Sequence, residues 1–283
     1  MASTPTASKV AFVADSTLGL TPEEALQEGI HLVPQQVIHG GRSYRDLVEI
    51  RPEEVLNLLE KGERLSTSQV APEDLRETYA RLLKTHERVV SVHVSGKLSG
   101  TLSTAMRVAQ GFGGRVLVLD SWSLNGGLKL VLEEARRLLE AGVAWEGLEA
   151  ALAPFRARVR GYVLPQTLTY LHRLGRISGL KRFVGGLLRI LPILEVKEGG
   201  VFPGPRVRGF GEGLRKVVEL FRRDFPSGAQ VYLAHAGNGE GARALGEAIR
   251  QEGVEVLGML PAGAAVSVHA GPGTVALFAG PRG

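Results

Sequence analysis

The sequence predicts an α/β fold in two domains. An N-terminal α/β/α domain is built on a mainly parallel sheet over residues 8–160, and a C-terminal α+β domain with a mixed or antiparallel sheet covers residues 161–283. Three observations carry this reading. Short apolar runs alternate with amphipathic helical patterns through the first half, as in a parallel sheet with helices on both faces. After about residue 160 strand-like runs outnumber helical ones, which suits an α+β domain. Polar turns also recur where apolar runs end, at Asp15-Ser16, Ser95-Gly96 and Asp120-Ser121. That is the carboxyl edge at which such sheets bind ligands.

Taken in order, residues 10–14 form an apolar strand ending at Asp15-Ser16-Thr17, and Thr21-Pro22-Glu23-Glu24 starts a helix with Pro in its first turn. Residues 30–38 are extended, and His39-Gly40-Gly41-Arg42 turns a hairpin. Arg51-Pro52-Glu53-Glu54 opens a helix that closes at Lys61-Gly62. Ser66-Thr67-Ser68-Gln69 reads as a polar loop before a helix whose apolar face is Leu75, Tyr79, Leu82 and Leu83. Residues 89–94 form a strand that breaks at Ser95-Gly96, and a helix follows from near Thr101 through Ala109. Residues 115–119 form a further strand, and residues 124–140 a long helix closed by Gly142.

The second half reads as a strand over 162–164, a helix over 167–174, a Gly/Ser loop at 175–179 and a hairpin of 190–196 with 201–202 around Gly199-Gly200. Helices over 213–223 and 240–251 enclose a strand at 231–234. Three strands, over 254–259, 265–269 and 275–279, are expected to close the chain. There is no internal repeat and no low-complexity segment.

At 283 residues the chain can bury a substantial core. With no Cys, disulfides, thiol catalysis and Cys-ligated zinc are excluded. No run of about 18 apolar residues is present to span a membrane. Residues 1–9 are polar without an apolar signal segment, so a cytoplasmic protein is expected. The net charge of +5 is unevenly spread: 18 Lys and Arg face 9 Asp and Glu after residue 150, against 16 and 20 before it. A basic second half suits a solvated face, an acidic protein partner or an anionic membrane surface. Nucleic acid is not expected, because no helix-turn-helix, aromatic RNA motif or zinc finger accompanies the charge.

Residues 95–101 collect hydroxyls and free backbone N–H groups at a helix start, where an anion binds readily. Ser99 and Thr101 can also serve simply as caps. Ser66-Thr67-Ser68-Gln69 carries more hydroxyls than capping needs. His269 stands beside Gly271-Pro272-Gly273, and Arg176 lies in a Gly/Ser loop suited to bidentate recognition of a carboxylate or phosphate. Catalytic templates are lacking: Ser99 has Lys97 rather than Gly two residues before it, Gly96-Lys97 lacks the rest of a phosphate-binding loop, and no His-Glu-x-x-His exists. No catalytic residue, metal or cofactor is therefore expected. The residues favour binding an anion over catalysis.

These segments resemble the DegV family along essentially the whole chain. The matching stretches, in order, are Ala14-Asp15-Ser16-Thr17, Tyr44-Arg45-Asp46, Thr67-Ser68-Gln69, Ser95-Gly96-Lys97-Leu98-Ser99-Gly100-Thr101, Asp120-Ser121, Leu174-Gly175-Arg176-Ile177-Ser178, Pro192-Ile193-Leu194 and His269-Ala270-Gly271-Pro272-Gly273. The resemblance implies a long-chain fatty acid in the cleft between two α/β domains, its tail in an apolar tunnel. It implies a lipid carrier, not an enzyme, that presents the carboxylate to a fatty acid kinase. The expected ligand-binding residues are Thr67, Ser68, Ser95, Gly96, Ser99, Gly100, His269 and Arg176. Thr67 and Ser95 are the expected carboxylate donors, His269 is a further donor, and Arg176 is either a local anchor or a partner contact. Two departures stand out: Gly96 replaces the second Ser of a common Ser-Ser, and Val70-Ala71 replaces a usual Pro-Ser. The alternative is an enzyme acting on a small phosphorylated or carboxylated metabolite, with the Ser/Gly turns as its phosphate cradle. A nucleic-acid-binding regulator is a third and weaker reading.

Overall fold

The computed structural model describes residues 9–170, 190–250 and 254–282. Half of the expected helix over 167–174, from residue 171 on, falls outside these residues, and Arg176 with its Gly/Ser loop falls wholly outside them.

The N-terminal sheet has the order β2-β1-β6-β7 and all its pairings are parallel. Its strands are β1 (Val10–Asp15), β2 (Ile30–Val33), β6 (Arg88–His93) and β7 (Val116–Asp120). Alternate residues feed opposite faces, as the two-residue strand period requires. Ala11, Val13 and Val89 pack on helices α3 (Pro72–Leu82) and α4 (Thr101–Ala109). Phe12, Ala14, Val90 and Val92 pack on α5 (Asn125–Glu140). A three-stranded antiparallel sheet, ordered β4-β3-β5, stands beside it with β3 (Gln36–His39), β4 (Arg42–Arg45) and β5 (Leu65–Ser68). The β3–β4 hairpin turns at Gly40-Gly41 as expected. Helices α1 (Pro22–Gln27), α2 (Pro52–Glu60) and α6 (Leu148–Arg158) complete this half. Helix α6, which carries Pro154 and buries Leu148, Leu152 and Arg156 along one side, was not expected from the sequence.

The second sheet is six-stranded and mixed, in the order β10-β9-β8-β13-β11-β12. It comprises β8 (Arg160–Leu164), β9 (Ile190–Lys197), β10 (Gly200–Arg208), β11 (Ala229–His235), β12 (Val254–Pro261) and β13 (Val275–Gly280). Only the β11–β12 pairing is parallel. One face packs on α7 (Gly209–Asp224) and α8 (Gly239–Ile249). The other meets α5, so α5 lies between the two large sheets in one continuous core with Tyr232 and Phe278. The fold is thus the predicted pairing of a parallel α/β/α unit with a mixed-sheet α+β unit.

Two local expectations are corrected. Ser66-Thr67-Ser68 is not a loop: β5 pairs with β3, placing Val37 opposite Thr67. Three of its four residues are Ser or Thr and only Leu65 is buried, which disguised the strand. Residues 265–269 are not a strand but part of helix α9 (Ala264–Ala270). A short apolar run has no decisive period. Long-range contacts choose the helix: Oδ1 of Asp46 accepts a hydrogen bond from the Ala264 N–H at 2.7 Å. Ala264, Ala265 and Val268 pack on Val55 and Leu59 of α2.

Candidate functional site

A cavity of about 570 Å³ opens between the small sheet, the turn after β6, and the inner face of the six-stranded sheet. That volume lies within the ordinary range for small-ligand pockets. Most of its wall is apolar: Val94 and Leu98 from the turn after β6, Leu124 before α5, Val163, Leu194, Val196 and Val201 from β8–β10, and Ala276 and Phe278 from β13. Its polar lining includes Thr67, Ser68, Gln69, Ser99 and His269.

Thr67 and His269 come together across the cavity, with Thr67 Oγ1 2.7 Å from His269 Nε2. The strand register aims Thr67 inward, and α9 presents His269 in its last turn. Helix α9 is itself fixed from both ends. Asp46 holds its first N–H, while Gly271 and Gly273 at φ +75° and +82° let the chain pass against Tyr170 and Gln166. A Cβ on Gly271 would fall on the Tyr170 ring.

The remaining expected site residues divide. Ser68 is exposed at the cavity rim. Ser99 and Gly100 line the wall, and Ser99 Oγ sits 3.0 Å from Thr101 Oγ1 while accepting from the Thr101 N–H at 3.2 Å. A Cβ at Gly100 would fall on Gln69 Oε1, so glycine is what lets the turn approach β5. Ser95 does not line the cavity. It is wholly buried, and its Oγ donates to the Gly199 carbonyl at 2.6 Å. Lys97 Nζ donates to the neighbouring Glu198 carbonyl at 2.7 Å. Together they clasp the β9–β10 turn. Gly96 lines the cavity, but its N–H donates to Asp120 Oδ2 at 3.3 Å instead of facing a ligand. Thr17, Gln35, Asn125, His235 and Thr274 also line the cavity and were not anticipated. Thr17 lies in the Asp15-Ser16-Thr17 turn quoted above, and the other four stand outside every quoted stretch.

With this geometry in view, the comparisons with known proteins are decisive about kinship: residues 9–282 match the family described as "Uncharacterised protein, DegV family". The chain belongs to the DegV family. A DegV domain-containing protein from Deinococcus radiodurans is 36% identical over 270 residues, covering 94% of this chain and 96% of that one. A DegV family protein from Thermus thermophilus, described as fatty-acid binding, has a similar structure with TM-score 0.89 and 33% identity, over 97% of this chain and 100% of that one. DegV of Bacillus subtilis, described as a fatty acid binding protein, has TM-score 0.84 and 26% identity, over 97% and 99%.

One DegV motif does work that its sequence conceals. Asp15 is wholly buried and accepts from the Val94 N–H at 2.8 Å and from Thr17 Oγ1 at 2.6 Å, with His93 Nδ1 at 3.1 Å. Ser91 Oγ lies 2.8 Å from His93 Nε2 and accepts from Tyr79 Oη at 2.8 Å. Ser91, His93 and Asp15 thus have the order of a nucleophile relay. None of the three has any exposed surface, so no substrate reaches Ser91. Burial alone would raise the Asp15 carboxyl, but the His93 contact, with Thr17 and Val94, outweighs it and holds it below its ordinary value. For Asp46, burial wins over its donors Ser16, Ala265 and Ala264, and its carboxyl is raised to about 6. Among the described residues, no group of three or more His, Cys, Asp and Glu is placed to hold a metal ion. No helix among them is long and apolar enough to cross a membrane.

Proposed function

We propose that this cavity holds a long-chain fatty acid and that the protein is a non-catalytic lipid carrier. The observation that carries the reading is the Thr67–His269 pair set in an otherwise largely apolar cavity. The fatty-acid binding described for the Thermus thermophilus and Bacillus subtilis proteins supports it. An ionised acid needs donors. When His269 Nε2–H donates to Thr67 Oγ1, the Thr67 hydroxyl proton is released to point at a carboxylate oxygen. The tail supplies most of the affinity: at ~0.8 kcal/mol per buried CH₂ a long chain gains on the order of 10 kcal/mol gross. Association and ordering costs reduce that considerably.

The division of labour follows. Thr67 and His269 hold the head, with Ser68, Ser99 and Gly100 at the same wall; Ser95 and Gly96 shape the turn that carries them. Domains 8–160 and 161–283 form the two sides of the cleft. The carrier presents the carboxylate to a fatty acid kinase in the cytoplasm. Exposed Arg206, Arg208 and Arg215 offer a basic surface to such a partner or to an anionic membrane. Reversing these charges with no loss of kinase docking or membrane association would remove that role. A metabolite enzyme would want a polar pocket and an accessible nucleophile; the apolar wall and the buried Ser91 argue against it.

Native mass spectrometry of the purified protein, followed by denaturing release, tests the carrier reading. A one-to-one long-chain fatty acid is expected. A protein that arrives empty and refuses added palmitate and oleate overturns it.

A further inference from the structure

We propose that Gln35 is a further donor to the ligand's carboxylate, working beside Thr67. The inference rests on the fatty-acid reading above. Gln35 lines the cavity and is only 5% exposed, yet its Nε2 has no hydrogen-bond partner among the described residues. A buried amide N–H left unmet is costly, so such a group marks a place where an acceptor belongs.

Its position says which acceptor. Gln35 immediately precedes β3, whose Val37 pairs with Thr67 of β5. Residues two apart on a strand share a face, so Gln35, Val37 and Thr67 project to the same side. Extending the register puts Gln35 opposite Gln69 and diagonal to Thr67, where Cβ atoms are roughly 7–8 Å apart, within reach of a long side chain. The Gln69 amide is already engaged, donating from Nε2 to Thr104 Oγ1 at 2.8 Å. Gln69 has thus spent one of its two amide N–H groups, whereas Gln35 has both to spare.

The backbone holds Gln35 in place. Its N–H donates to Ser16 Oγ at 3.0 Å, and its carbonyl accepts from the Asp46 N–H at 2.9 Å. The side chain turns about its own torsions, the last of which is broad and two-fold. An ionised carboxylate is an acceptor only, with about four lone-pair sites over its two oxygens. Thr67 brings one proton to that end; Gln35 brings two more.

The test is a displacement titration of palmitate against wild type, Gln35→Leu and Gln35→Glu, with thermal melts to check folding. Leu keeps the bulk and removes the donor, so palmitate binding should weaken about tenfold. Glu places a second negative charge beside the ligand, so it should weaken binding further at pH 8 and recover as the pH falls. Equal or tighter binding by Gln35→Leu overturns the inference. So does a loss confined to acids hydroxylated along the chain, since Gln35 would then read the tail. If the variants fail to fold, the Gln35 side-chain amide resonance in labelled wild type decides. A downfield proton shift on adding palmitate is expected, and none overturns the inference. Wild type that takes up no palmitate brings down the carrier reading itself, whereas wild type and Gln35→Leu that bind equally remove Gln35 alone.

Discussion

Thr67 Oγ1 and His269 Nε2 meet at 2.7 Å although the two residues are 202 positions apart. The contact joins the small sheet to the last turn of α9, so each residue orients the other. Thr67→Val should weaken fatty acid retention by roughly 1.5–3 kcal/mol, the range for a hydrogen bond to a charged group. His269→Ala should act in the same direction. Because both work through one hydrogen-bonded pair, the double variant should lose less than the sum of the two. Calorimetric titration with palmitate measures all three, and full additivity would separate the pair.

Ser95 gives a contrasting expectation. Its hydroxyl is spent on the Gly199 carbonyl, so Ser95→Ala leaves a buried carbonyl unmet and loosens the β9–β10 turn. Thermal or urea unfolding should show a loss of about 1–3 kcal/mol. Palmitate affinity should fall less than in Thr67→Val. A Ser95→Ala protein of native stability that has lost its ligand would return Ser95 to the headgroup.

Why does the sequence mark Thr67 as a candidate and not Gln35? Thr67 and His269 sit in hydroxyl- and glycine-rich stretches, where several polar residues together exceed the needs of capping. Gln35 stands between Pro34 and Gln36, outside every marked stretch, and only the β3–β5 register reveals the face it shares. The large sheets were readable because their central strands are short, mostly apolar runs closed by polar turns. Helix α9 was not, because seven residues of Ala, Val, Ser and His carry no period, and the group that fixes its start, Asp46, lies 218 residues away. Ser95 was misplaced for the opposite reason. Its motif is conspicuous, but a motif does not say which carbonyl a hydroxyl will find.

Gly126 tests the packing of α5 between the two large sheets. A Cβ there would stand 2.6 Å from Tyr232 Cβ and 3.1 Å from Phe278 Cβ, both held in strands. Neither atom is a flexible side-chain end, so relief requires moving helix against sheet. Gly126→Ala should destabilise by about 1–3 kcal/mol, the usual cost of overpacking, despite Ala's better helix propensity. Because Phe278 also lines the cavity, ligand affinity should fall with stability. A variant as stable as wild type would mean that the helix and sheet can separate freely at this point.

Asp46 and Asp15 should leave opposite marks on stability against pH. The Asp46 carboxyl is raised by burial to about 6, so the folded protein holds its proton more tightly than the unfolded chain. Its contribution is full below the ordinary value of 3.8 and is lost as pH rises through about 6. Asp15 is lowered, so its contribution is full above 3.8 and is lost only as pH falls through its folded value. Asp46→Asn cannot titrate but keeps an oxygen for the Ala264 N–H. In urea unfolding from pH 4 to 7, wild type should therefore lose ground to Asp46→Asn by on the order of 2–3 kcal/mol. Asp15→Asn should run parallel to wild type over the same range, at lower stability, because it strips the charge from a carboxylate that gathers the Val94 and Thr17 donors. Parallel curves for wild type and Asp46→Asn would mean that Asp46 keeps an ordinary carboxylate value, and that ionisation costs nothing where it caps α9.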